Sequence, residues 1–542
     1  MRGSRFRRSA IWLVMLGVLL AVLAGCPDQK PEKSADSETV QAPASAASES
    51  PSDLQRAIAV LDAAIPGIMN DWSIPGMAVA VVSGNATVYA KGFGVRKAGG
   101  RDPVDPSTMF QIGSCSKAFT ATLAASFADQ GAFAFDDPAA DHLAFFQLQD
   151  PWVTANCQVS DLMAQHLGLP PYSLDSLAAL GYSADYILDS LYDVTPVSSF
   201  RAQYAYQNAP FLAVATLLEA YGGKSYGALL QERILAPLGM DATNTRVEAI
   251  AQNPDAATGH VPTDAGAKPL PWDAPYQQTM NTLAPAGGVN SNVLDMAKWL
   301  RFNLNDGVGP RGRVIKQESM EFLRTPQTLM GSLSNGRKLY YCQGWVYLED
   351  GPGPIIWHNG QTFGMTSLTA FSPVEGVGLV MLSNMVGEQD RLVLQTFFGA
   401  LHGGDVKDLS AKALQAHQKE LAENQPAAAP ENPSPPLPIS AYMGDYASDI
   451  YGDVRIINRG GQLTLILGPR KDAIALRHFN RDIFQAQLPW PSEEPSFVRF
   501  AIGADGKADL FTTDGLENSL ETTFSRIEGE APQPSHEQGP EE

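Results

Sequence analysis

The chain has 542 residues, 44% of them hydrophobic, and its 38 basic and 58 acidic side chains give a formal charge of −20. That is enough apolar material for at least two domains. The acidic balance excludes the broad, nonspecific nucleic-acid binding that rests on Lys and Arg neutralising phosphates, and four widely spaced cysteines form no zinc or redox pattern, so neither a metal nor a cofactor is expected.

Arg2, Arg5, Arg7 and Arg8 precede an apolar or small run from Ala10 to Ala24, ending Leu23-Ala24-Gly25-Cys26. The run is shorter than the roughly 20 residues that span a bilayer, and it fits a secretory signal peptide over residues 1–25. A short N-terminal transmembrane anchor is the alternative. Small residues directly before a cysteine resemble the bacterial lipobox, which makes Cys26 the expected lipidation site and a membrane the expected partner. Several acyl chains hold a protein at a bilayer where a single one does not. Residues 26–53 are rich in Ser, Ala, Glu and Pro with almost no large apolar side chain, the composition of a disordered tether. The expected location is the bacterial cell envelope, anchored and facing the periplasm or the exterior. Without residues 1–25 the charge becomes −24, which keeps the chain soluble.

Leu54, Ile58, Leu61, Ile65 and Ile68 recur at helical spacing and predict a helix over 54–72. Two strands follow, Met77–Val82 and Thr87–Gly92, with Ser83-Gly84-Asn85 as their turn. The first is so apolar that both of its faces should be covered. Next comes Gln111-Ile112-Gly113-Ser114-Cys115-Ser116-Lys117, leading into an unbroken apolar helix over 118–129. Ser114 and Lys117, three apart, share a helix face. A partly desolvated lysine can take a serine's proton, and a helix N-terminus offers N–H groups to an oxyanion. Taken alone, the pattern also describes a capping serine beside a solvated lysine. Cys115, one residue further on, should point elsewhere and pack in the interior.

From Asp136 to about Met330 the chain reads as mainly helical, with helices over 212–221, 226–235 and 293–303, inserted between the first and last strands of a sheet. Within it, Tyr206 and Asn208 stand two apart in Tyr204-Ala205-Tyr206-Gln207-Asn208, pointing the same way if the loop is extended. A tyrosine near a lysine cation can give up its proton below its usual pKa of about 10, and an asparagine offers both a donor and an acceptor to an amide. Further on, Ile355-Ile356-Trp357-His358-Asn359-Gly360-Gln361 predicts a strand in which His358 and Gly360 share a face. The missing side chain at Gly360 would let a substrate lie against the backbone. Strands over 367–371 and 378–382 continue the sheet.

Ser114-x-x-Lys117, Tyr206-x-Asn208 and His358-x-Gly360 come in the order of the active-site motifs of the serine β-lactamase and penicillin-binding-protein superfamily, and the Tyr-x-Asn element is most similar to its class C branch. The resemblance covers about Leu54 to Leu401. Leu283-Ala284-Pro285-Ala286-Gly287-Gly288 and Gly344-Trp345 also look like that family. It implies an α/β (α+β) fold, with an antiparallel sheet flanked by helices and an inserted helical subdomain, within a hydrolase domain over 54–404. It also implies roles: Ser114 as acylated nucleophile, Lys117 and Tyr206 as coupled base and proton relay, Asn208 as substrate ligand beside Gly360, and the backbone N–H groups of Ser114 and Gln361 as oxyanion hole. His358 stands where β-lactamases usually carry a lysine; His-x-Gly resembles the esterase-like and D-aminopeptidase-like members. A second departure is Gln165-His166-Leu167-Gly168, where relatives typically have His-x-Ser-Gly.

A polar helix and a Pro/Ala linker occupy 405–438. Short alternating segments over 439–527, among them 454–457, 463–467, 497–502 and 508–512, predict a small β-barrel or sandwich. Its Tyr442-x-Gly444-x-Tyr446 opening resembles a lipocalin-like domain, expected to support the catalytic domain or assembly. Residues 528–542 read as an acidic, disordered tail. The leading expectation is an exported, lipid-anchored serine hydrolase acting on a small-molecule or peptide substrate: D-residue peptides, peptidoglycan fragments or small esters. A class C-like β-lactamase is the alternative within enzymes, and an inactive wall-binding or sensor protein the alternative outside them. A homo-oligomer is left open.

Overall fold

The structure is a computed structural model that describes residues 52–423, 430–492, 495–516 and 522–527. The leader, Cys26, nearly all of the tether, part of the linker and the acidic tail lie outside the described residues. The described residues fall into two compact units, one built on a sheet with its helices and one on a barrel.

The first unit starts with α1 (Asp53–Asp71), where Ser52 accepts from the Gln55 N–H and the Gln55 side chain accepts from the Ser52 N–H, a reciprocal cap that satisfies two helix-end donors. It leads into the hairpin β1 (Gly76–Ser83) and β2 (Ala86–Gly94). The chain then passes through α2 (Ser116–Ala128), α3 (Ala209–Gly222) and α4 (Val293–Leu304) before it returns to the sheet. The returning strands are β3 (Thr328–Ser332), β4 (Lys338–Tyr341), β5 (Val346–Leu348), β6 (Ile355–Gln361), β7 (Thr366–Ser372) and β8 (Val377–Ser383). The sheet order is β2-β1-β8-β7-β6-β5-β4-β3, antiparallel throughout. The helical segment is thus an insertion between two neighbouring parts of one sheet.

Both faces of the central strands are covered, which is why they read as nearly continuous apolar runs. On one face Ala57, Leu61, Ile65 and Ile68 of α1 join Leu392, Val393 and Phe397 of α5 (Gln389–Leu401) against Val79, Val81, Leu368 and Met381. α4 lies on the other face, against β1 and β8. Residues 116–127 of α2 are buried on every side. A helix that is small and apolar all round has to be, and its hydroxyls turn back to the backbone: Thr122 donates to Ala118 O at 2.8 Å and Ser126 to Leu123 O at 2.7 Å.

The helix expected over 226–235 is interrupted. It runs α-helically over Tyr226–Leu230, widens into a π turn over Gln231–Leu235 and closes at Ala236–Leu238. Pro237 explains this, because it has no N–H for the carbonyl four residues back and its ring crowds that position.

After a helix over Leu409–Glu423, the second unit is a closed antiparallel barrel of eight strands, from Gly444–Ser448 to Thr522–Arg526. Its interior is filled by a continuous column of rings: Tyr442, Phe484, Phe500, Phe511, Tyr446 and Phe524, with centroids 4.7–5.6 Å apart. The Tyr442/Tyr446 pair closes the barrel. Tyr446 Oη donates to Tyr442 O at 2.7 Å and accepts from Arg526 Nη2 at 2.7 Å, while Tyr442 Oη donates to Asp482 at 2.7 Å. First and last strands are tied together by these bonds.

Candidate active site

Ser114 lies on a 3-10 turn, Gly113–Cys115, that runs directly into α2. Gly113 has φ +49°, a region that suits glycine, and a Cβ there would stand 2.6 Å from the Gln361 backbone N. The turn therefore lies flat against the end of β6, which brings the Ser114 and Gln361 backbones together. Gly360 is as tightly placed: its Cβ would meet Ile112 O at 1.9 Å. The sequence reading reserved that space for substrate; in the structure the Ile112 carbonyl fills it, held by Ser367 Oγ at 2.7 Å. From the next strand pair, Gly344 (φ +74°) presses on the Lys117 carbonyl, where a Cβ would lie 2.7 Å away. Cys115 points into the sheet, its Sγ 3.2 Å from both His358 O and Ser367 Oγ.

Lys117 Nζ has three oxygen partners: Asn208 Oδ1 at 2.5 Å, Ala286 O at 2.9 Å and Ser114 Oγ at 3.3 Å. Ser114 keeps 8% of its surface accessible and Lys117 none, so an incoming substrate meets the serine first. Burial brings the lysine's pKa down to about 7, opposed by the charge of Asp175. In the neutral form Lys117 has two N–H bonds and one lone pair. The Asn208 and Ala286 oxygens can only accept, so they take the two hydrogens and leave the lone pair to the Ser114 hydroxyl. Ser116 and Thr120, on the same helix, fix this arrangement. Ser116 Oγ donates to Gly113 O and accepts from Val289 N, and Thr120 Oγ1 contacts Pro285 O at 2.6 Å. Together they stitch the 284–289 turn, and with it the Ala286 carbonyl, onto the helix.

Tyr206 and Asn208 converge on Lys117, although Asn208 is not extended but caps α3 in the α region. The Tyr206 ring centroid is 4.6 Å from Lys117 Nζ. Its hydroxyl is buried near Ser114 and completes no hydrogen bond of ordinary geometry among the described residues. The sequence suggested a tyrosine with a lowered pKa. Here burial, reinforced by Tyr341, Tyr172 and Tyr204, holds it well above the ordinary value, so the phenol keeps its proton and serves as a donor.

His358 is buried beside this group. Its Nδ1 lies 2.5 Å from Asn359 O, which can only accept, so that nitrogen carries the hydrogen and Nε2 accepts from Tyr341 Oη at 3.0 Å. Burial, with the Lys117 charge adding to it, lowers the histidine to about 3. It is a neutral, fixed-tautomer side chain at every ordinary pH.

Three participants escaped the sequence reading. Tyr341 sits on β4, a four-residue strand not identified from the sequence, and Ala286 contributes a carbonyl that every residue possesses. Asp175 accepts from Asn208 Nδ2 at 2.6 Å, and its only sequence signal was a lone acid in an apolar stretch. The Gln165-His166 departure also acquires a physical meaning. Gln165, at φ +62°, clasps Gln207 through both side-chain amide atoms, at 2.5 and 3.0 Å, while His166 is tied to Asp161 and Thr328 at 2.7 Å each. This stretch braces the Tyr206–Asn208 loop from behind.

Comparison with known proteins finds similarity over both units. Residues 428–530 match a domain family of unknown function, DUF3471. An unguisins hydrolase of Aspergillus campestris is 26% identical over 82% of this chain and 86% of its own length. Penicillin-binding protein 4 of Amycolatopsis lactamdurans is 27% identical over 58% of this chain and 82% of its own. The octameric penicillin-binding protein homologue from Pyrococcus abyssi superposes with a TM-score of 0.57 at 19% identity, covering 86% of this chain and 100% of that one, a likeness of fold. With the Beta-lactamase family model matched over residues 61–402, the greater part of the sequence and the part that holds Ser114, Lys117 and Tyr206, the chain belongs to the β-lactamase family of penicillin-binding-protein-like serine hydrolases.

Proposed function

We propose that the protein is an exported, lipid-anchored hydrolase that cleaves amide or ester bonds through an acyl-enzyme on Ser114, with D-residue peptides, peptidoglycan fragments or small esters as substrates. The observation that carries this reading is the Lys117 environment. Burial favours the unprotonated lysine, and in that form its free lone pair faces Ser114 Oγ at 3.3 Å. As Oγ attacks the substrate carbonyl, Lys117 takes its proton, and the Ser114 and Gln361 N–H groups receive the developing oxyanion. Tyr206 Oη gives its proton to the departing amine or alcohol and regains one from Lys117. Water then attacks the Ser114 ester with its proton passing back along the same groups, releasing a carboxylic acid and restoring the serine. Export and anchoring rest on the Arg-rich apolar leader and Cys26.

The neutral His358 argues for this substrate range over β-lactams or peptides with a free carboxylate beside the scissile bond. A lysine there would supply a permanent cation, whereas His358 presents none above about pH 3. The names of the two relatives, a hydrolase and a penicillin-binding protein, support acyl chemistry without choosing the substrate.

The test is intact mass after incubation with a fluorophosphonate and, separately, with penicillin, using Ser114→Ala as control. The expected result is stoichiometric phosphonylation that the substitution abolishes, and slow or absent penicilloylation. Rapid penicillin turnover would turn the reading to a β-lactamase. Absence of phosphonylation in folded protein would turn it to a binding protein.

A further inference from the structure

Asp175 takes no direct part in the acyl transfer proposed above, yet a run of contacts links it to the nucleophile: Ser114 Oγ to Lys117 Nζ at 3.3 Å, Nζ to Asn208 Oδ1 at 2.5 Å, and Asn208 Nδ2 to Asp175 Oδ2 at 2.6 Å. All four residues are buried. An amide side chain can be rotated to exchange its oxygen and nitrogen; an ammonium of Lys117 gains nothing from a facing NH2 group, and a neutral amine would spend on it the lone pair that otherwise faces Ser114. The carboxylate removes this ambiguity, because it only accepts: with Asp175 ionised, Asn208 has to turn Nδ2 toward it and Oδ1 toward the lysine.

We propose that Asp175 is a positioning residue for acylation, acting through Asn208 to hold Lys117 on Ser114 and to set the pH at which the lysine becomes a base. The proposal rests on the serine-hydrolase reading of this site and deepens it. The second effect is electrostatic. The groups facing Lys117 are Asp175, Tyr206, His358, Cys115 and the Ala286 carbonyl. Tyr206 and His358 are neutral at ordinary pH, and burial keeps the Cys115 thiol protonated up to about 11. Asp175 is therefore the group whose negative charge opposes desolvation and keeps the lysine titrating near neutrality rather than far below it. The Asn208 amide also acquires a revised use: one edge is committed to Lys117 and one hydrogen to Asp175, so its first duty is to the base, and a substrate amide can call only on what is left.

The experiment follows the rate of Ser114 phosphonylation against pH in the full chain, which needs no knowledge of the natural substrate, for wild type, Asp175→Asn and Asp175→Glu. Wild type should show a rate that rises with pH through about 7, as Lys117 loses its proton. Asp175→Asn removes the stabilising charge, so the lysine deprotonates more readily and the rising limb moves down by about one pH unit or more. The plateau should fall about tenfold, since the amide loses its fixed orientation. Asp175→Glu keeps the charge and should hold the midpoint near wild type while lowering the plateau less. A limb that stays in place in Asp175→Asn, with only a uniform loss of rate, overturns the proposal in favour of a packing role. Should Asp175→Asn fail to fold by circular dichroism, Asp175→Glu decides: a midpoint displaced as far as the removal of the charge would displace it overturns the proposal. A wild type that is not phosphonylated at any pH is a different failure, and it overturns the hydrolase reading together with this one.

Discussion

Replacing Gly360 with alanine tests whether the nucleophile is placed by the sheet. The added Cβ would stand 1.9 Å from Ile112 O and 2.6 Å from Ser367 Oγ. Even to reach 3.0 Å, the tight end of real contacts, strand and turn must separate by about 1.1 Å. Neither neighbour is a loose side chain. Ile112 O belongs to the backbone two residues before Ser114, and Ser367 is bonded to it at 2.7 Å. Overpacking of this kind costs about 1–3 kcal/mol of stability. On the proposed acyl-enzyme chemistry the larger effect falls on catalysis, because the separation opens the gap between the Ser114 and Gln361 N–H groups, and losing one oxyanion donor lowers rates by about 10²–10³-fold. Stopped-flow or timed mass spectrometry of Ser114 phosphonylation, alongside a thermal melt, measures both in one sample. A Gly360→Ala protein that melts a few degrees lower but reacts within about twofold of wild type would refute the reasoning, since the site would then tolerate the displacement that defines it.

Acid sensitivity should trace partly to His358. It binds a proton near its usual value of about 6.5 once unfolded, but only at about 3 in the folded chain. The unfolded state therefore holds more protons between those values, and the histidine's contribution, fully present above about pH 6.5, is lost as the pH falls toward 3, by up to about 1.4 kcal/mol per pH unit. Asp390, raised to about 6 by burial, acts in the opposite sense between about 4 and 6. The difference between wild type and His358→Gln in urea unfolding from pH 7 to 4 isolates the histidine, and equal slopes in the two proteins would count against its buried, neutral state. In the barrel, Tyr446→Phe removes the bonds to Tyr442 O and Arg526 and should cost about 1–3 kcal/mol, chiefly by stranding buried partners. Phosphonylation of Ser114 should be unchanged; a matching loss of reactivity would show that the tyrosine serves more than barrel closure.

The residues legible in the sequence were those whose neighbours are close along the chain. Ser114 and Lys117 share a helix face by spacing alone, and the strands around Val79, Leu368 and Val380 declare themselves because a doubly covered strand has to be apolar. Tyr206, Asn208 and His358 were found by order and company. Their states were not, because pKa values belong to the packed interior: the burial that keeps Tyr206 protonated, and the Tyr341, Tyr172 and Tyr204 that add to it, come from distant segments. Asp175 and the Ala286 carbonyl were hidden for the same reason. Gly360 was expected to leave room for a substrate against the backbone, but the group that takes the room is the chain's own Ile112 carbonyl. In the barrel, strands such as Ile483–Ala486 and Thr522–Arg526 were missed because they are short and mix polar with apolar residues.

The two glycine contacts on the catalytic turn have an evolutionary corollary. Gly360 presses on it from one strand and Gly344 from the connection between two others, so the attacking oxygen is located by the spacing of backbone against backbone. The segment inserted over residues 136–330 contributes nothing to either contact, although it carries Asp175, Tyr206, Asn208 and Ala286. Away from those four positions, mutations there can change which molecules are admitted without shifting the atom that reacts with them, and a new specificity can be tried without first rebuilding the chemistry. The burden of invariance falls instead on two positions that carry no side chain at all.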